Sequence, residues 1–342
     1  MGNERGAIVK KFKVVQVGTG NRGRATLSAF SEHPDRLEIV AVCDANLENA
    51  QRVSSEFDIP ATYQHVEHLL QQADFDLASV TTATPVRQTV IQPLLEAGKD
   101  VIVDKPFAET FDEAKAIVAC AAENGRRIAV GQNFRYLHGF DVARQYLADQ
   151  PLGSPRHLTH TLLGPRQDRG WRTERERRVM AIMSIHWFDG YRWMLNDLPE
   201  TVYCQTSKSA LIQGRGETHT SVIIHFQSGC VATLTESFGT AFRATIPPIL
   251  DCDTGSLEVT GAELRVYEVG KLQPIQTVPA GNMTMNQATY RCLADLLDAI
   301  EAGEEPPNSG QDNLKTMGTM EAAYRSTAEG RVVPWTELEL ND

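Results

Sequence analysis

A glycine-rich turn near the N-terminus has the residue types and spacing that bind phosphate groups. The β-branched run Lys13–Val17 leads directly into the sequence GTGNRG, and a helical stretch follows. In this context the first glycine allows a tight turn, the second lets a pyrophosphate approach the backbone, and the third lets helix and strand pack closely. The N–H groups and positive dipole of the helix N-terminus would hold the phosphates. The turn predicts a dinucleotide site, the alternative being a tight turn without ligand; the predicted contacts are Gly18, Thr19, Gly20, Asn21, Arg22 and Gly23.

An acidic residue follows the next predicted strand, at the position where a ribose is recognised. The run Val40–Cys43 ends at Asp44, 21 positions after Gly23 (44 − 23). A carboxylate there accepts hydrogen bonds from the ribose hydroxyls and repels a 2′-phosphate, so NAD is favoured over NADP. The next two residues offer no cation for such a phosphate, although Arg22 or Arg24 could reach back to one.

The elements around these residues alternate between strand and helix as far as about residue 133. Short apolar strands separated by helices of about 10 to 15 residues are typical of βαβ units with a parallel sheet buried on both faces. Right-handed crossovers then give a doubly wound α/β fold, so residues 12–133 are predicted to form a Rossmann domain. The predicted strands are Lys13–Val17, Leu37–Cys43, Leu77–Thr81, Val101–Val103 and Ile128–Val130.

Residues 134–334 are predicted to form a second domain, of the α+β class. Val202–Gln205, Ser221–Phe226 and Val231–Glu236 have strand composition and no helices between them, and Ser228-Gly229 is a hairpin turn. This pattern favours a mainly antiparallel sheet. Helices are predicted at about 184–195, 286–302 and 312–329, and the last of these could pack back on the first domain.

The composition argues against several other classes of protein. A chain of 342 residues is too long for a single hydrophobic core, so two domains are expected. A net charge of −11 argues against a nucleic-acid partner. The chain has no run of 18 apolar residues, so no membrane span is expected. Residues 1–11 lack an apolar signal core, and the six cysteines are scattered without a CxxC pair. We therefore expect a cytoplasmic protein with reduced thiols and no metal site.

The segment Val103–Ala108, with the sequence VDKPFA, resembles a known family of oxidoreductases. This is the glucose–fructose oxidoreductase, inositol dehydrogenase and rhizopine-catabolism (Gfo/Idh/MocA) family, which has Glu-Lys-Pro at the end of its fifth strand; here the acid is Asp104. Further resemblances follow in the same order over residues 12–334. The family implies a Rossmann domain and an α/β domain with an open-faced antiparallel sheet. The other matching segments are Thr84-Pro85, Glu96–Lys99, Val130–Arg135 and Glu321–Ser326.

The resemblance implies NAD-dependent hydride transfer at a hydroxyl carbon of a sugar, polyol or sugar-like acid. It implies that Lys105 hydrogen-bonds the reacting oxygen, where an ammonium stabilises a developing alkoxide. Pro106 would fix the backbone that aims this lysine. His186, in the family's His-x-x-Asp segment, would take the hydroxyl proton, as histidine can near neutral pH. The alternatives are that Lys105 is an ordinary surface lysine and that His186 is a core histidine whose hydrogen bonds are satisfied there. Asp189 would hold the helix or orient the histidine ring.

The sequence departs from its relatives around the predicted proton-transfer site. Many members carry an aspartate four residues before the histidine, where this chain has Ile182. Relatives often have a histidine after the Thr-Pro pair, where this chain reads Val86–Thr89. These departures leave a two-residue site, Lys105 with His186. They also keep a second hypothesis open, a non-catalytic sensor that binds a dinucleotide on the same fold.

The remaining candidate residues lie at the strand ends and in the second half. The basic loop Arg166–Arg178 is either solvated or lies near an anionic ligand or a neighbouring subunit. His157 and His160 are interpreted as sheet residues, not metal ligands. An open sheet face needs cover, so a homo-oligomer, a dimer or tetramer, is expected. Further predicted cofactor contacts are Thr82, Thr84, Pro85, Asp104, Lys105 and Asn133, and predicted substrate contacts are Arg135, Tyr136, Trp171, Arg172 and Asp189.

Overall fold

The computed structural model describes residues 11–149 and 151–340, apart from the side chain of Trp171. These residues divide into two compact units. The first comprises the described residues up to Gly131 and Met285–Gln311, and the second comprises Gln132–Thr284 and the described residues from Asp312 onward. The prediction for residues 1–11 lies, except for Lys11, outside the described residues.

A six-stranded parallel sheet forms the centre of the first unit. Its order is β3-β2-β1-β4-β5-β6, so the strand order reverses between β1 and β4. Every neighbouring pair is parallel, which confirms the predicted doubly wound Rossmann fold. The carboxyl ends of these strands, where such folds bind ligands, therefore lie at one edge. The strands are β1 (Phe12–Val17), β2 (Leu37–Cys43), β3 (Ala61–Tyr63), β4 (Leu77–Val80), β5 (Asp100–Val103) and β6 (Ile128–Val130).

The helices of the first unit connect these strands. A capping box, in which Thr110 and Glu113 satisfy each other's backbone N–H groups, fixes the start of the helix after β5. Buried Leu27, Ala50 and Val53 pack with Val42 of β2, the strand that Asp44 follows. The helices are α1 (Asn21–Ser31), α2 (Leu47–Glu56), α3 (Val66–Gln72), α4 (Arg87–Glu96) and α5 (Phe111–Glu123), with Met285–Ala302 from the later chain.

A nine-stranded mixed sheet forms the second unit, in the order β14-β13-β12-β11-β7-β10-β9-β8-β15. All neighbours are antiparallel except β7 and β10, which are parallel, so the predicted mainly antiparallel sheet is confirmed. Side chains of β9 alternate between buried and exposed, as in a sheet with one covered face. The strands are β7 (Pro155–Leu163), β8 (Pro199–Ser207), β9 (His219–Phe226), β10 (Val231–Ser237), β11 (Ala244–Cys252), β12 (Gly255–Val259), β13 (Glu263–Glu268), β14 (Gln276–Pro279) and β15 (Val333–Pro334).

The helices of the second unit include the one that carries the predicted histidine. This helix, Ile185–Leu195, follows directly on a π-helical turn at Met180–Ser184. π-Helical turns are rare and often occur at functional sites. The helices after β6 are α6 (Phe134–Leu137), α7 (Phe140–Ala148), α8 (Ile185–Leu195), α9 (Met285–Ala302) and α10 (Gly310–Glu329). Of these, α9 belongs to the first unit and α10 lies almost wholly in the second.

The two units divide the chain differently from the predicted domains at residues 12–133 and 134–334. The division groups α9 with the Rossmann sheet, whereas the sequence analysis placed it in the second domain. In the part of the chain described here, no helix combines the length and apolar character needed to cross a bilayer.

Candidate active site

The glycine-rich turn has the shape that its spacing predicts. Gly18 has a φ of +89°, and a Cβ there would lie 2.8 Å from the backbone nitrogen of Thr82. A Cβ on Gly23 would lie 2.1 Å from the carbonyl oxygen of Gly18. These two positions therefore require glycine for close packing. A Cβ on Gly20 would meet nothing within 4 Å, so space is open beside this residue.

The N-terminus of α1 faces this open space without a side-chain cap. Gly20 is the N-cap residue, and in the described part of the chain this helix start has no side-chain cap hydrogen bond. Thr19 is buried before it, whereas Asn21 is exposed at the first helical position. Uncapped N–H groups and the positive end of the helix dipole fit a diphosphate.

Two residues that the sequence analysis did not single out brace the turn. The Gln16 amide nitrogen donates to the Gly18 carbonyl oxygen at 3.0 Å and to the Thr81 hydroxyl at 2.8 Å. The Thr81 hydroxyl donates to the same carbonyl at 2.9 Å. Gln16 is fully buried in β1, and its polar side chain directly after the apolar pair Val14-Val15 was the available signal.

Asp44 lies at the end of β2 with its carboxylate oriented toward the turn. Its Oδ2 accepts hydrogen bonds from the Thr19 backbone nitrogen at 2.7 Å and from the Thr19 hydroxyl at 2.8 Å. Its Oδ1 accepts from the Asn46 backbone nitrogen at 2.9 Å. The half-buried carboxylate is thus fixed beside the glycine turn, where it fits the hydroxyls of a ribose.

The two arginines that could have met a 2′-phosphate each pair with another carboxylate. Arg22 Nε lies 2.9 Å from Asp104 Oδ1, and the attraction of this carboxylate raises the pKa of Arg22. Arg24 Nη2 lies 2.6 Å from Glu56 Oε1. Both pairs strengthen the sequence argument for NAD over NADP.

Changing Asp44 to alanine should weaken NADH binding by roughly 10- to 100-fold, because a charged hydrogen-bond acceptor is lost. The same change should narrow the preference for NADH over NADPH, since the repulsion of a 2′-phosphate is also lost. Fluorescence titrations give both dissociation constants. Asp74→Ala, which removes an exposed carboxylate paired with Lys13, is the matched control. An unchanged NADH affinity in Asp44→Ala would rule out the ribose contact.

Asp104 and Lys105 follow β5 at the same edge of the sheet. The Asp104 backbone nitrogen donates to the Val80 carbonyl oxygen at 2.9 Å, which continues the pairing of β4 with β5. Burial opposes ionisation of Asp104, yet Arg22, Arg87 and Lys105 together hold its pKa below the usual value. Lys105 is half-buried, and its peptide bond to Pro106 is cis.

The predicted cofactor residues after β4 form a short 3₁₀ turn. Thr84 and Pro85 lie in this turn, Thr84–Val86, and Thr84 is buried. The Thr82 hydroxyl is also buried, and among the described residues it has no hydrogen-bond partner. A buried hydroxyl without a protein partner fits a contact with a bound polar ligand.

The structure pairs two predicted substrate residues with each other. Arg135 Nε and Nη2 lie 2.6 Å from the two carboxylate oxygens of Asp189, and both side chains are fully buried. Asp312 lies 2.6 Å from Arg135 Nη2, and the Thr316 hydroxyl donates to Asp189 at 2.8 Å. A buried guanidinium needs anionic partners, so this network favours a role in holding α6, α8 and α10 together. Direct substrate contact, predicted from the sequence, does not fit this pairing.

The charges of this network hold it in its ionised form. Burial disfavours the charged form of Arg135, but Asp189 and Asp312 raise its pKa well above the usual value. Burial likewise opposes ionisation of Asp312, yet Arg135 and Arg192 lower its pKa to about 2.

His186 is the second residue of α8 and lies in a cluster of aromatic rings. Its ring stacks on Phe134, with centroids 3.8 Å apart and an interplanar angle of 12°. Trp187 packs against Phe134 and His138 in the same cluster. The stacking fixes the plane of the imidazole, which is what a proton-transfer group requires.

The π-helical turn before His186 is anchored by buried carboxylates. Glu217 accepts from the backbone nitrogens of Arg178 and Met180 at 2.9–3.2 Å. The Ser184 hydroxyl donates to Glu236 at 2.5 Å. Ile182, the replacement for the family aspartate, is half-buried within this turn. The turn thus positions the start of α8 without a carboxylate at residue 182.

The other predicted residues of the second unit are distributed differently. Asn133 and Tyr136 are buried in and beside α6, whereas Arg172 is exposed in the 3₁₀ turn Gly170–Glu174. The side chain of Trp171 lies outside the described residues. In the basic loop, Arg178 pairs with Asp168 at 3.0 Å, so part of the loop's positive charge is neutralised internally.

His160 is a buried sheet residue, and Tyr191 Oη lies 2.6 Å from its Nδ1. Burial, together with His138, lowers the pKa of His160 to about 3. Burial also raises the pKa of Tyr191 well above its usual value, so a neutral hydroxyl and a neutral imidazole share this hydrogen bond. Among the described residues, no group of three His, Cys, Asp or Glu side chains is placed to hold a metal ion.

The burial of His160 predicts a loss of stability in mild acid. An unfolded histidine titrates near 6.5, so below that pH the unfolded state binds a proton that folded His160 does not. The contribution of His160 is present above the unfolded pKa and is lost as pH falls toward the folded value. Between pH 7 and pH 5 it should cost about 2 kcal/mol of unfolding free energy. Urea unfolding of wild type and His160→Asn measures this; equal pH slopes in both proteins would contradict the assignment.

The fold and this site define a dinucleotide-binding oxidoreductase of the Rossmann type. Residues 12–132 match the family model "Oxidoreductase family, NAD-binding Rossmann fold", and residues 140–266 match the "GFO/IDH/MocA C-terminal domain". The chain belongs to the GFO/IDH/MocA family and is an NAD-dependent oxidoreductase, which confirms the resemblance noted from its motifs.

Named relatives agree with this assignment. The chain is 26% identical to a D-apiose dehydrogenase of Paraburkholderia graminis over 97% of this chain and 92% of the relative. It is 25% identical to an inositol 2-dehydrogenase of Pseudomonas savastanoi over 94% of this chain and 96% of the relative. The structure of an oxidoreductase from Agrobacterium radiobacter, in complex with NAD+, L-tartaric acid and magnesium, has a TM-score of 0.86 at 22% identity. That match covers 96% of this chain and all of the other. These comparisons favour an enzyme over the non-catalytic sensor.

Proposed function

We propose that the protein transfers hydride between NAD and a hydroxyl carbon of a small sugar, polyol or sugar-like acid. The observation that carries the proposal is the position of Lys105, directly after β5 at the sheet edge that also holds the glycine turn and Asp44. Relatives named D-apiose dehydrogenase and inositol 2-dehydrogenase support the substrate class.

Each catalytic side chain has one role in this proposal. The Lys105 ammonium donates a hydrogen bond to the reacting oxygen and stabilises negative charge as the hydroxyl proton leaves. His186 accepts that proton during oxidation and returns it during reduction. Bound NAD supplies the hydride acceptor. Because residue 182 is isoleucine, His186 works without the aspartate that many relatives place one turn earlier.

The remaining residues hold the cofactor or shape the substrate site. The open backbone at Gly20 and the uncapped start of α1 hold the diphosphate, and Asp44 holds the ribose. The buried Thr82 hydroxyl is a further cofactor contact. Asn133, Tyr136, Trp171 and Arg172 stay predictions, whereas Arg135 and Asp189 are assigned to support of α8.

A substrate screen tests the proposal directly. Purified protein with NAD+ is presented with pentoses, hexoses, cyclic and linear polyols and aldonic acids, and NADH formation is followed by its absorbance. We expect turnover with at least one of these compounds and none with simple primary alcohols. NADH binding without turnover on any compound would instead support the sensor hypothesis.

We also propose that the open face of the nine-stranded sheet forms a homo-oligomer. Across this face, Tyr203 pairs in register with Ile223, Ile223 with Thr233, and Thr233 with Thr159. These side chains are partly or well exposed and form a largely uncharged row, which would be covered in an oligomer.

Light scattering should give a mass of at least twice the 37.8 kDa chain. Ile223→Lys, which places a charge in this row, should lower that mass toward the monomer because a buried unpaired charge is costly. Val269→Lys, at an exposed position outside the row, is the control. A wild-type mass of one chain would contradict the oligomer.

A cytoplasmic location is part of the proposal. All six cysteines are free, as expected of a protein in a reducing compartment. The predicted absence of a nucleic-acid partner stays a prediction.

A further inference from the structure

Arg87 is a buried arginine that contacts the backbone on both sides of Lys105. It is the first residue of α4, and its side chain is only 5% exposed. Its Nη1 donates to the carbonyl oxygens of Asp104 and of Pro106, the residues that precede and follow Lys105. One guanidinium therefore holds both ends of the short segment that carries the lysine.

The same guanidinium also contacts the end of β4. Arg87 Nε donates to the Thr82 carbonyl oxygen at 3.0 Å. The strand-end segments after β4 and β5 are thus linked through one side chain. The planar guanidinium presents several N–H donors in a fixed geometry, whereas a lysine ammonium is a single point charge on a flexible stem.

Asp104 connects this arginine to the glycine-rich turn. Arg22 Nε lies 2.9 Å from Asp104 Oδ1, and Arg87 Nη2 lies 3.7 Å from Asp104 Oδ2. Asp104 is the residue that replaces the family's usual glutamate, and it lies between two arginines. We call these three residues, Arg87, Asp104 and Arg22, the arginine–aspartate bridge.

The bridge links the groups that hydride transfer must align. Arg22 belongs to the turn that would hold the diphosphate, Thr82 would contact the cofactor, and Lys105 would bind the reacting oxygen. A displacement of about 1 Å in a positioned catalytic group can lower a rate by roughly 10²-fold. A buried side chain bonded to the peptide groups around Lys105 is therefore placed to control that displacement.

We propose that Arg87 is a positioning residue, which fixes the backbone of Lys105 relative to the cofactor turn without contacting substrate. This inference rests on the proposed function of Lys105. It explains why an arginine follows the Thr-Pro pair in this chain, a feature that the sequence analysis noted only as a departure from relatives.

Two variants of Arg87 and one control test the proposal. Arg87→Met removes the donors but keeps the length of the side chain, and Arg87→Lys restores a charge with fewer directed donors. Arg36→Met is the matched control, since Arg36 is a partly buried arginine of the same unit that pairs with Asp298 and Glu301. The measurements are kcat on a turned-over substrate, the dissociation constant of NADH, and amide hydrogen exchange of residues 104–108.

We expect Arg87→Met to lower kcat by roughly 10²-fold and to change the NADH dissociation constant less than threefold. Residues 104–108 should exchange faster in Arg87→Met than in wild type, and Arg87→Lys should be intermediate in both kcat and exchange. Arg36→Met should retain wild-type kcat and exchange.

Three results would overturn the positioning role. The first is a kcat of Arg87→Met within threefold of the kcat of Arg36→Met. The second is a parallel loss of kcat and NADH affinity in Arg87→Met, and the third is unchanged hydrogen exchange at residues 104–108 in that variant. If wild type turns over no sugar or polyol, the proposed function fails, whereas hydrogen exchange still decides whether Arg87 holds the segment.

Discussion

Replacing Lys105 with methionine should lower kcat by roughly 10²- to 10³-fold, the loss typical when one donor to a developing oxyanion is removed. Methionine keeps most of the side-chain length, so the change isolates the ammonium. NADH should still bind, because the glycine turn and Asp44 are untouched. Steady-state kinetics on a turned-over substrate, with NADH titration by fluorescence, separates the two effects.

Lys99→Met is the matched control for this variant. Lys99 lies in the same unit, before β5, and donates to the Phe75 carbonyl oxygen at 2.7 Å. Loss of this lysine should cost stability without a selective loss of kcat. If Lys105→Met and Lys99→Met had the same kcat, Lys105 would have no role at the reacting oxygen.

Changing His186 to alanine should lower the rate by roughly 10²- to 10⁴-fold, as expected when a general base is removed. The side chain is rigidly stacked on Phe134, so its loss also removes a packing contact. His138 packs on the same ring, with centroids 4.3 Å apart, and His138→Ala therefore controls for packing. The comparison measures kcat of both variants at equal fractions of folded protein.

A rate loss below about threefold in His186→Ala, with normal substrate binding, would exclude the proton-transfer role. Ile182 makes this variant especially informative. Since no aspartate stands one turn before the histidine, the proposed site has no second side chain assigned to take the proton.

The cofactor half of the site was predictable because its signals are local. Gly18 and Gly23 are needed for steric reasons within one strand–turn–helix unit, Gly20 leaves open space beside the backbone, and Asp44 follows the next strand at a fixed spacing. Strands of the first unit were likewise predicted because short apolar runs alternate with helices. The short β3 and α3 were missed, since three and seven residues carry too little periodicity.

The second unit was less predictable because its contacts join distant parts of the chain. The sequence suggested that Arg135 and Asp189 contact substrate, yet they pair with each other across 54 residues. β7 pairs parallel to β10, a register that no local turn encodes. In the first unit, the contacts of Arg87 could not be predicted for the same reason, since the carbonyl groups that it contacts belong to the loop after β5.

Many relatives carry an aspartate at the position of Ile182, and its replacement reduced the predicted catalytic site to two residues. In the structure the start of α8 is held by Glu217, which accepts from the backbone nitrogens of Arg178 and Met180, and by Glu236, which accepts from the Ser184 hydroxyl. The helix that carries the histidine therefore has anchors that no local motif marks.

Isotope labelling shows directly whether the protein transfers a carbon-bound hydrogen to NAD. The protein is incubated in ordinary water with NAD+ and a mixture of sugars and polyols deuterated at their hydroxyl-bearing carbons, and the NADH formed is analysed by mass spectrometry. We expect NADH that carries one deuterium with the wild-type protein, and a much smaller amount of NADH with Lys105→Met and with His186→Ala. NADH without deuterium, or no NADH from any compound of the mixture, would exclude the proposed hydride transfer.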